Sequence, residues 1–409
     1  MTAGLAGYII RNKMRPRPEW QKNAAPEGAQ SNPFRILPPK TGEKHQPHPM
    51  IGKRFPIVLM LEPLHACNLT CTGCGRIREY ESSIAERVPL EECLLAVDEC
   101  GAPVVSICGG EPMIYPEIGR LSREILERGR HIILCTNGMF IRKRLHEFKP
   151  TSSFFFNVHL DGLERTHDLC VERDGVYREA IEGIKAAKAA GFLVCSNTTI
   201  YKETDLSEIS DLYEYLDTLG VDGFMLSPAY GYAAVQTTDI FMSRADIREK
   251  FRAAVALLDK HNLMVSPIYL DFLRGERELE CTAWGTPTFN PRGWKGPCYV
   301  ITDNHYASYK EMVEQTPWQN YGPGNDPRCA DCMMHVGFET TPVLGAKRNL
   351  GDTWKMLKWQ FSGRMGGHPE KSAGYNGPTN GQTGGGSTST LMPPPPTDLV
   401  SPDGRLRVL

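Results

Sequence analysis

The 409-residue chain has no run of about eighteen apolar residues, so no stretch of it is expected to cross a membrane as a helix. It has little net charge, −2 at neutral pH, which removes the electrostatic reason to expect nucleic acid as a partner. The N-terminal MTAGLAGYIIRNKMRPR has too short an apolar core, and no clear cleavage signal, for a secretory peptide, so a cytoplasmic protein is expected. Its thirteen cysteines then read as reduced thiols, and a cluster among them as a metal site rather than a set of disulfides. With 41% apolar and 23% charged residues, the composition is that of a globular protein with room for one large α/β domain and additions to it.

Residues 1–50 read as a flexible N-terminal segment. Residues 16–50 are rich in Pro, Asn, Lys and Gln without apolar periodicity, while LAGYIIRNKMR before them has the make-up of a basic amphipathic helix or a frayed terminus. From Phe55 the pattern changes. Apolar runs at 57–63, 104–110, 131–138, 153–162, 192–200 and 224–231 each end in small or polar residues and alternate with helical stretches such as PEIGRLSREILERG and YREAIEGIKAAKAAG. Such alternation predicts βαβ units with right-handed crossovers and a parallel sheet, either an incomplete (β/α) barrel or a doubly wound sheet. Both bring the ends of the six runs to one mouth. The barrel is expected over 51–261. Residues 262–365, with Cys281, Cys298, Cys329 and Cys332, lose the alternation and are expected to form a separate, irregular capping region. The low-complexity tail 366–409 is expected to be disordered.

Directly after the first run, HACNLTCTGCG places Cys67, Cys71 and Cys74 in a C-x3-C-x2-C spacing. A structural zinc site closes with four ligands, and only His65 or a distant residue is available as a fourth. Three thiolates on a [4Fe-4S] cubane would instead leave one iron open to a small molecule. The spacing, followed by GGEP at Gly109–Pro112 and TNG at Thr136–Gly138 after the next two runs, resembles the radical S-adenosylmethionine (SAM) superfamily over roughly residues 55–235.

The resemblance implies a partial (β/α)6 barrel, with Cys67, Cys71 and Cys74 holding a [4Fe-4S] cluster and SAM as cosubstrate. It implies that the Gly109, Gly110 and Glu111 backbone meets the methionine amino group, glycine being needed because a Cβ would hold the backbone away. His159 stands where many members have a SAM-contacting serine, and Asn197 where the ribose or carboxylate is commonly met. His159 reads equally well as a core histidine. The residue before the third cysteine is commonly aromatic and packs near adenine. Here it is Gly73, so adenine must be held elsewhere, for example along LSPAYG (226–231), or be free to travel.

Cys108, immediately before GGEP, reads either as a buried small residue or as a hydrogen-atom donor to a carbon radical. RFPIVLMLEPLHACNLTCTGCG, SICGGEPMIYPEI, FNVHLDG and PRCADCMMHVGFE are similar to the hopanoid-biosynthesis members of the superfamily, over Arg54–Gly366. That resemblance implies addition of the deoxyadenosyl radical to the terminal alkene of diploptene, with Cys108 as catalytic hydrogen donor. It also implies an electron donor such as flavodoxin or ferredoxin, and peripheral contact with the inner face of the membrane that dissolves the substrate. A pentacyclic hydrocarbon asks for apolar lining, for which Phe224, Met225, Tyr230, Tyr232, Tyr269, Phe272, Trp284, Phe289 and Trp294 are the candidates, about a third of them expected to touch it. The late C-x2-C of Cys329 and Cys332, with Cys298, and with Cys281 and His335 within the same region, reads as a second metal site or as unligated thiols in a lid. A hydrogen-abstracting, peptide-modifying relative with an auxiliary cluster is the alternative activity.

Overall fold

Each of the six apolar runs forms a parallel strand: β1 (Val58–Leu61), β2 (Val104–Ile107), β3 (His131–Thr136), β4 (Phe154–His159), β5 (Leu193–Ile200) and β6 (Gly223–Pro228). They come from a computed structural model that describes residues 54–235, 238–345 and 350–361. The expected amphipathic segment at the N-terminus and the expected disordered tail lie outside the described residues.

The strands neighbour one another in sequence order, β6-β5-β4-β3-β2-β1. A doubly wound sheet reverses its order at a switch point, whereas this one never does, so the fold is the partial (β/α)6 barrel. The sheet does not close. Beyond β1 it continues through β7 (Thr288–Asn290), parallel to β1, then through the antiparallel β8 (Gly293–Pro297) and β9 (Thr302–Tyr306). Within residues 262–365, therefore, β7–β9 extend the barrel's own sheet, with Met60 and Leu61 paired to Thr288 and Phe289. The alternation is lost there because an antiparallel hairpin needs no crossover helix.

Strand residues alternate between two surroundings. Leu59, Leu61, Val105, Ile107, Ile132, Leu134, Phe154, Phe156, Val158 and Val194 belong to the main core with the helices. The opposite face bears Met60, Ser106, Cys108, Cys135, Asn157 and Cys195, with Ser106 and Asn157 hydrogen-bonded to the Cys135 sulfur. Phe148, Phe154, Phe156 and Phe192 form a continuous edge-to-face cluster on the helix side, each burial contributing about 1.5–3 kcal/mol. Five of the aromatics expected to line a ligand tunnel, Phe224, Tyr269, Phe272, Phe289 and Trp294, are buried in this core instead. Phe224 stacks on Tyr213 and so holds a helix to the sheet, while Phe272 stacks on Phe338 and joins two helices. Met225, Tyr230, Tyr232 and Trp284 remain partly exposed.

Candidate active site

The cysteine loop leaves β1 through Glu62 and ends where Cys74 caps a short helix, α1 (Gly75–Glu79). Its shape is imposed from several sides. Leu69 is buried against Val171 and Val176, with Cys67, Cys71 and Met139 packed on them. Thr70 and Thr72 donate to the Glu172 carboxylate, Thr72 N donates to Cys170 O, and the Arg78 guanidinium donates to the carbonyls of Cys71 and Cys74. Asn68 accepts from the Asn137 amide at 2.8 Å, tying the loop to the TNG turn.

GGEP is a structural mate of this loop. Gly110 N donates to Leu64 O at 3.2 Å and Glu111 N to Ala66 O at 2.9 Å. Gly109 has φ +108°, and a Cβ on Gly110 would stand 1.9 Å from Ala66 O. Glycine is needed because two backbones touch, and the N–H groups of Gly110 and Glu111 are already used. An ammonium group is itself a donor, so the carbonyls of this turn are what it would need. The Glu111 carboxylate is 2% exposed and accepts from Met113 N, Thr136 Oγ1 and Asn137 N, each at 2.8 Å. Burial nevertheless raises its pKa to about 7. This side chain joins GGEP to TNG and so positions the site.

Burial, then Glu111 and Cys74, pushes the Cys67 thiol up to about 12; burial, then Cys74 and Cys67, raises Cys71 well above its ordinary value. Buried thiols this close to one another stay protonated unless a cation compensates the thiolates, and an iron–sulfur cluster provides that charge. Among the described residues no three His, Cys, Asp or Glu side chains converge tightly enough for a single metal ion. The loop therefore fits a cluster spread between its sulfurs better than one zinc. His65 takes no part. It is 1% exposed, stacks on Tyr80 at 3.7 Å, meets Ser83 Oγ through Nδ1, and burial pushes its pKa down to about 3.

At the end of β4, His159 pairs in register with Asn197 within β5, and His159 Nε2 lies 2.9 Å from Asp161 Oδ2. Burial works against the imidazolium, but Asp161 and a hydrogen bond to the Asn197 backbone outweigh it and raise the His159 pKa. Asp161 also accepts from Thr199 N, which fixes the pair. Asp161 is electrostatically coupled to Cys71, so this corner faces the cysteine loop. No hydrogen bond to another described residue occupies the Asn197 side chain.

The space opened by Gly73 is filled by Tyr201, just after β5: a Cβ on Gly73 would lie 2.2 Å from the Tyr201 hydroxyl. The aromatic ring absent from the loop is supplied from the far side of the mouth. Tyr232 does the same at Gly75, where a Cβ would meet its ring at 2.1 Å. Neither ring was singled out for these positions by the sequence, because only the fold brings residues 201 and 232 onto 73 and 75. A buried charge network was equally unreadable. Glu62, Arg76, Glu79, Tyr80 and Lys295 interlock behind the loop, and Arg76 and Lys295 both donate to Tyr299 O. Lys295 is 1% exposed; burial, then Arg76, lowers its pKa to about 8.

Cys108 is 5% exposed and packs with Met60, Val300 and Ile301. Burial, then Glu62, raises its thiol well above the ordinary value, so it remains S–H. Cys93, Cys100 and Cys195 are buried packing residues.

Two family models match. Residues 61–216 match the radical SAM superfamily, and residues 224–356 match a domain of unknown function, DUF3463. Among curated proteins, the chain is 28% identical over 170 residues to the AdoMet-dependent heme synthase of Methanosarcina barkeri, covering 40% of this chain and 48% of that protein. It is 29% identical over 220 residues to the GTP 3',8-cyclase of Erythrobacter litoralis, covering 51% and 65%. The chain spans about half the length of the first of these relatives. Among solved structures, Streptococcus suis SuiB bound to precursor peptide SuiA superposes with a TM-score of 0.52 at 15% identity, covering 74% of this chain and 76% of that one. That likeness is one of fold.

Proposed function

We propose, starting from a radical SAM domain at residues 61–216, that this enzyme is an adenosylhopane synthase, which adds a 5′-deoxyadenosyl group to the terminal alkene of a diploptene-like triterpene. The family's cofactor is a [4Fe-4S] cluster and its cosubstrate is SAM; when bound, they supply a one-electron cleavage that releases methionine and the 5′-deoxyadenosyl radical. Cys67, Cys71 and Cys74 are the residues to hold the cluster. The GGEP carbonyls, His159, Asn197 and Tyr201 face the mouth as candidates for SAM, with Glu111 holding GGEP and TNG in place.

The observation that carries the reading is Cys108. Addition of a carbon radical to a 1,1-disubstituted alkene forms the C5′–C bond and leaves a tertiary radical, which needs one hydrogen atom to become product. Cys108 supplies an S–H kept protonated by burial, on the same face of the sheet as Met60, one residue before GGEP. Its thiyl radical then takes up one electron and one proton, so each turnover draws two electrons from a donor such as flavodoxin or ferredoxin. Met225, Tyr230, Tyr232 and Trp284 are the aromatic and thioether surfaces left to meet a hydrocarbon. A membrane-dissolved substrate also gives the basic N-terminal segment a role at the bilayer surface.

Anaerobic incubation with SAM, reductant and diploptene tests this. Adenosylhopane is the expected product, and Cys108→Ala is expected to cleave SAM while losing the saturated product or its stereochemistry. Unchanged yield and stereochemistry in Cys108→Ala would remove the donor role. Release of 5′-deoxyadenosine alone would favour the second reading, a hydrogen-abstracting enzyme, which the late cysteines support as an auxiliary site.

A further inference from the structure

Three segments far apart in sequence bring four cysteines to one cavity. Cys281 precedes β7, Cys298 directly follows β8, and Cys329 and Cys332 lie in the turn after the helix Tyr309–Gln315. They line a small apolar space together with Val300, Ile301 and Phe338. His335 does not line it. All four are free thiols.

The sulfurs are also prepared as acceptors. Gly322 N donates to the Cys329 sulfur at 3.4 Å. Burial raises all four thiols, and the backbone at Ala283, at Val300 and Ile301, and at Met334 works the other way on Cys281, Cys298 and Cys332. Such donors favour the thiolate and tune iron–sulfur clusters. A neutral thiol packed only for its bulk has no use for them. Gly337 keeps the space clear, since a Cβ there would lie 2.9 Å from the Cys281 sulfur.

We propose that Cys281, Cys298, Cys329 and Cys332 hold a second [4Fe-4S] cluster, closed by four thiolates and so without an open iron. A zinc ion, at about 2.3 Å from each sulfur, draws four thiolates into mutual contact. A cubane spreads them over its corners. Among the described residues no group of three His, Cys, Asp or Glu side chains is arranged for a single ion. Ligation releases four S–H protons, and a [4Fe-4S]2+ core with four thiolates is a dianion. Arg76 and Lys295, both electrostatically coupled to Cys298 and both donating to the carbonyl of Tyr299, are buried where they offset that charge. With every iron capped, this cluster cannot chelate SAM; its contribution is structural or electron-carrying.

The test counts iron in the full chain after anaerobic reconstitution with ferrous iron and sulfide, and does not depend on the hydrocarbon substrate. The Cys67→Ala, Cys71→Ala, Cys74→Ala triple variant is expected to keep about four iron and four sulfide, with an electron paramagnetic resonance signal that SAM does not alter. Cys329→Ser with Cys332→Ser is expected to fall from about eight iron to about four, leaving a signal that SAM still shifts. A triple variant without iron, or with one zinc per chain, overturns the proposal, and so does a double variant with the full wild-type iron. The two variants read the same count from opposite sides, so loss of fold in one leaves the other decisive.

Discussion

The contact between Gly110 and Ala66 sets a measurable limit on the site. In Gly110→Ala the new Cβ would stand 1.9 Å from Ala66 O, 2.4 Å from Ala66 C and 2.5 Å from His65 O. These are backbone atoms, and the gap is about 1.5 Å short of ordinary contact, so no side-chain rotation relieves it. The segment entering Cys67 must move away, and the hydrogen bonds from Gly110 N to Leu64 O and from Glu111 N to Ala66 O are lost or stretched. Two bonds at about 1 kcal/mol each, with about 1–3 kcal/mol for the overpacking, give a destabilisation of about 3–5 kcal/mol. Cys67 is displaced relative to Cys71 and Cys74, so iron incorporation at the first site should fall as well. Denaturant unfolding gives the stability, and iron analysis of the reconstituted protein gives the occupancy. Gly175→Ala is the control. Its φ is +84°, yet nothing lies within 4 Å of the added Cβ, so only the left-handed backbone cost of about 1–2 kcal/mol applies. If Gly110→Ala binds iron normally and loses no more stability than Gly175→Ala, the claim that GGEP shapes the cysteine loop by direct backbone contact is wrong.

Tyr201→Leu should leave the iron content unchanged and weaken SAM binding by roughly tenfold, the loss of about 1.4 kcal/mol of ring contact; equilibrium dialysis showing wild-type affinity would mean the ring only fills the space beside Gly73. His159 has a raised pKa, so its pairing with Asp161 stabilises the fold fully below the ordinary imidazole value of about 6.5 and is lost as pH rises through the raised value. Melting temperatures of the wild type should therefore decline more than those of His159→Gln as pH rises from about 6.5 to the raised value, and parallel curves across that interval would count against the pair.

The six strands were legible because each run is apolar, of strand length, and closed by small or polar residues. A parallel strand covered on both sides leaves that signature wherever it occurs. Strand order was not legible. An incomplete barrel and a doubly wound sheet have the same local pattern, and only the unreversed neighbour order from β1 to β6 separates them. Aromatics failed as markers of a tunnel for a related reason: Phe224 and Met225 are adjacent in sequence and point to opposite faces of β6, one into the core and one not.

The sequence by itself determined the family resemblance, because C-x3-C-x2-C, GGEP and TNG are local segments legible from residue type and spacing, and residues 61–216 match the radical SAM superfamily. Tertiary structure alone decided what stands around them. It placed Tyr201 on Gly73, turned Glu111 toward Thr136 and Asn137 as a strut, buried Lys295 behind the loop, and gathered Cys281 with Cys298, Cys329 and Cys332. Those juxtapositions join residues tens to hundreds of positions apart. They follow from strand pairing and core packing, which no short stretch of sequence specifies.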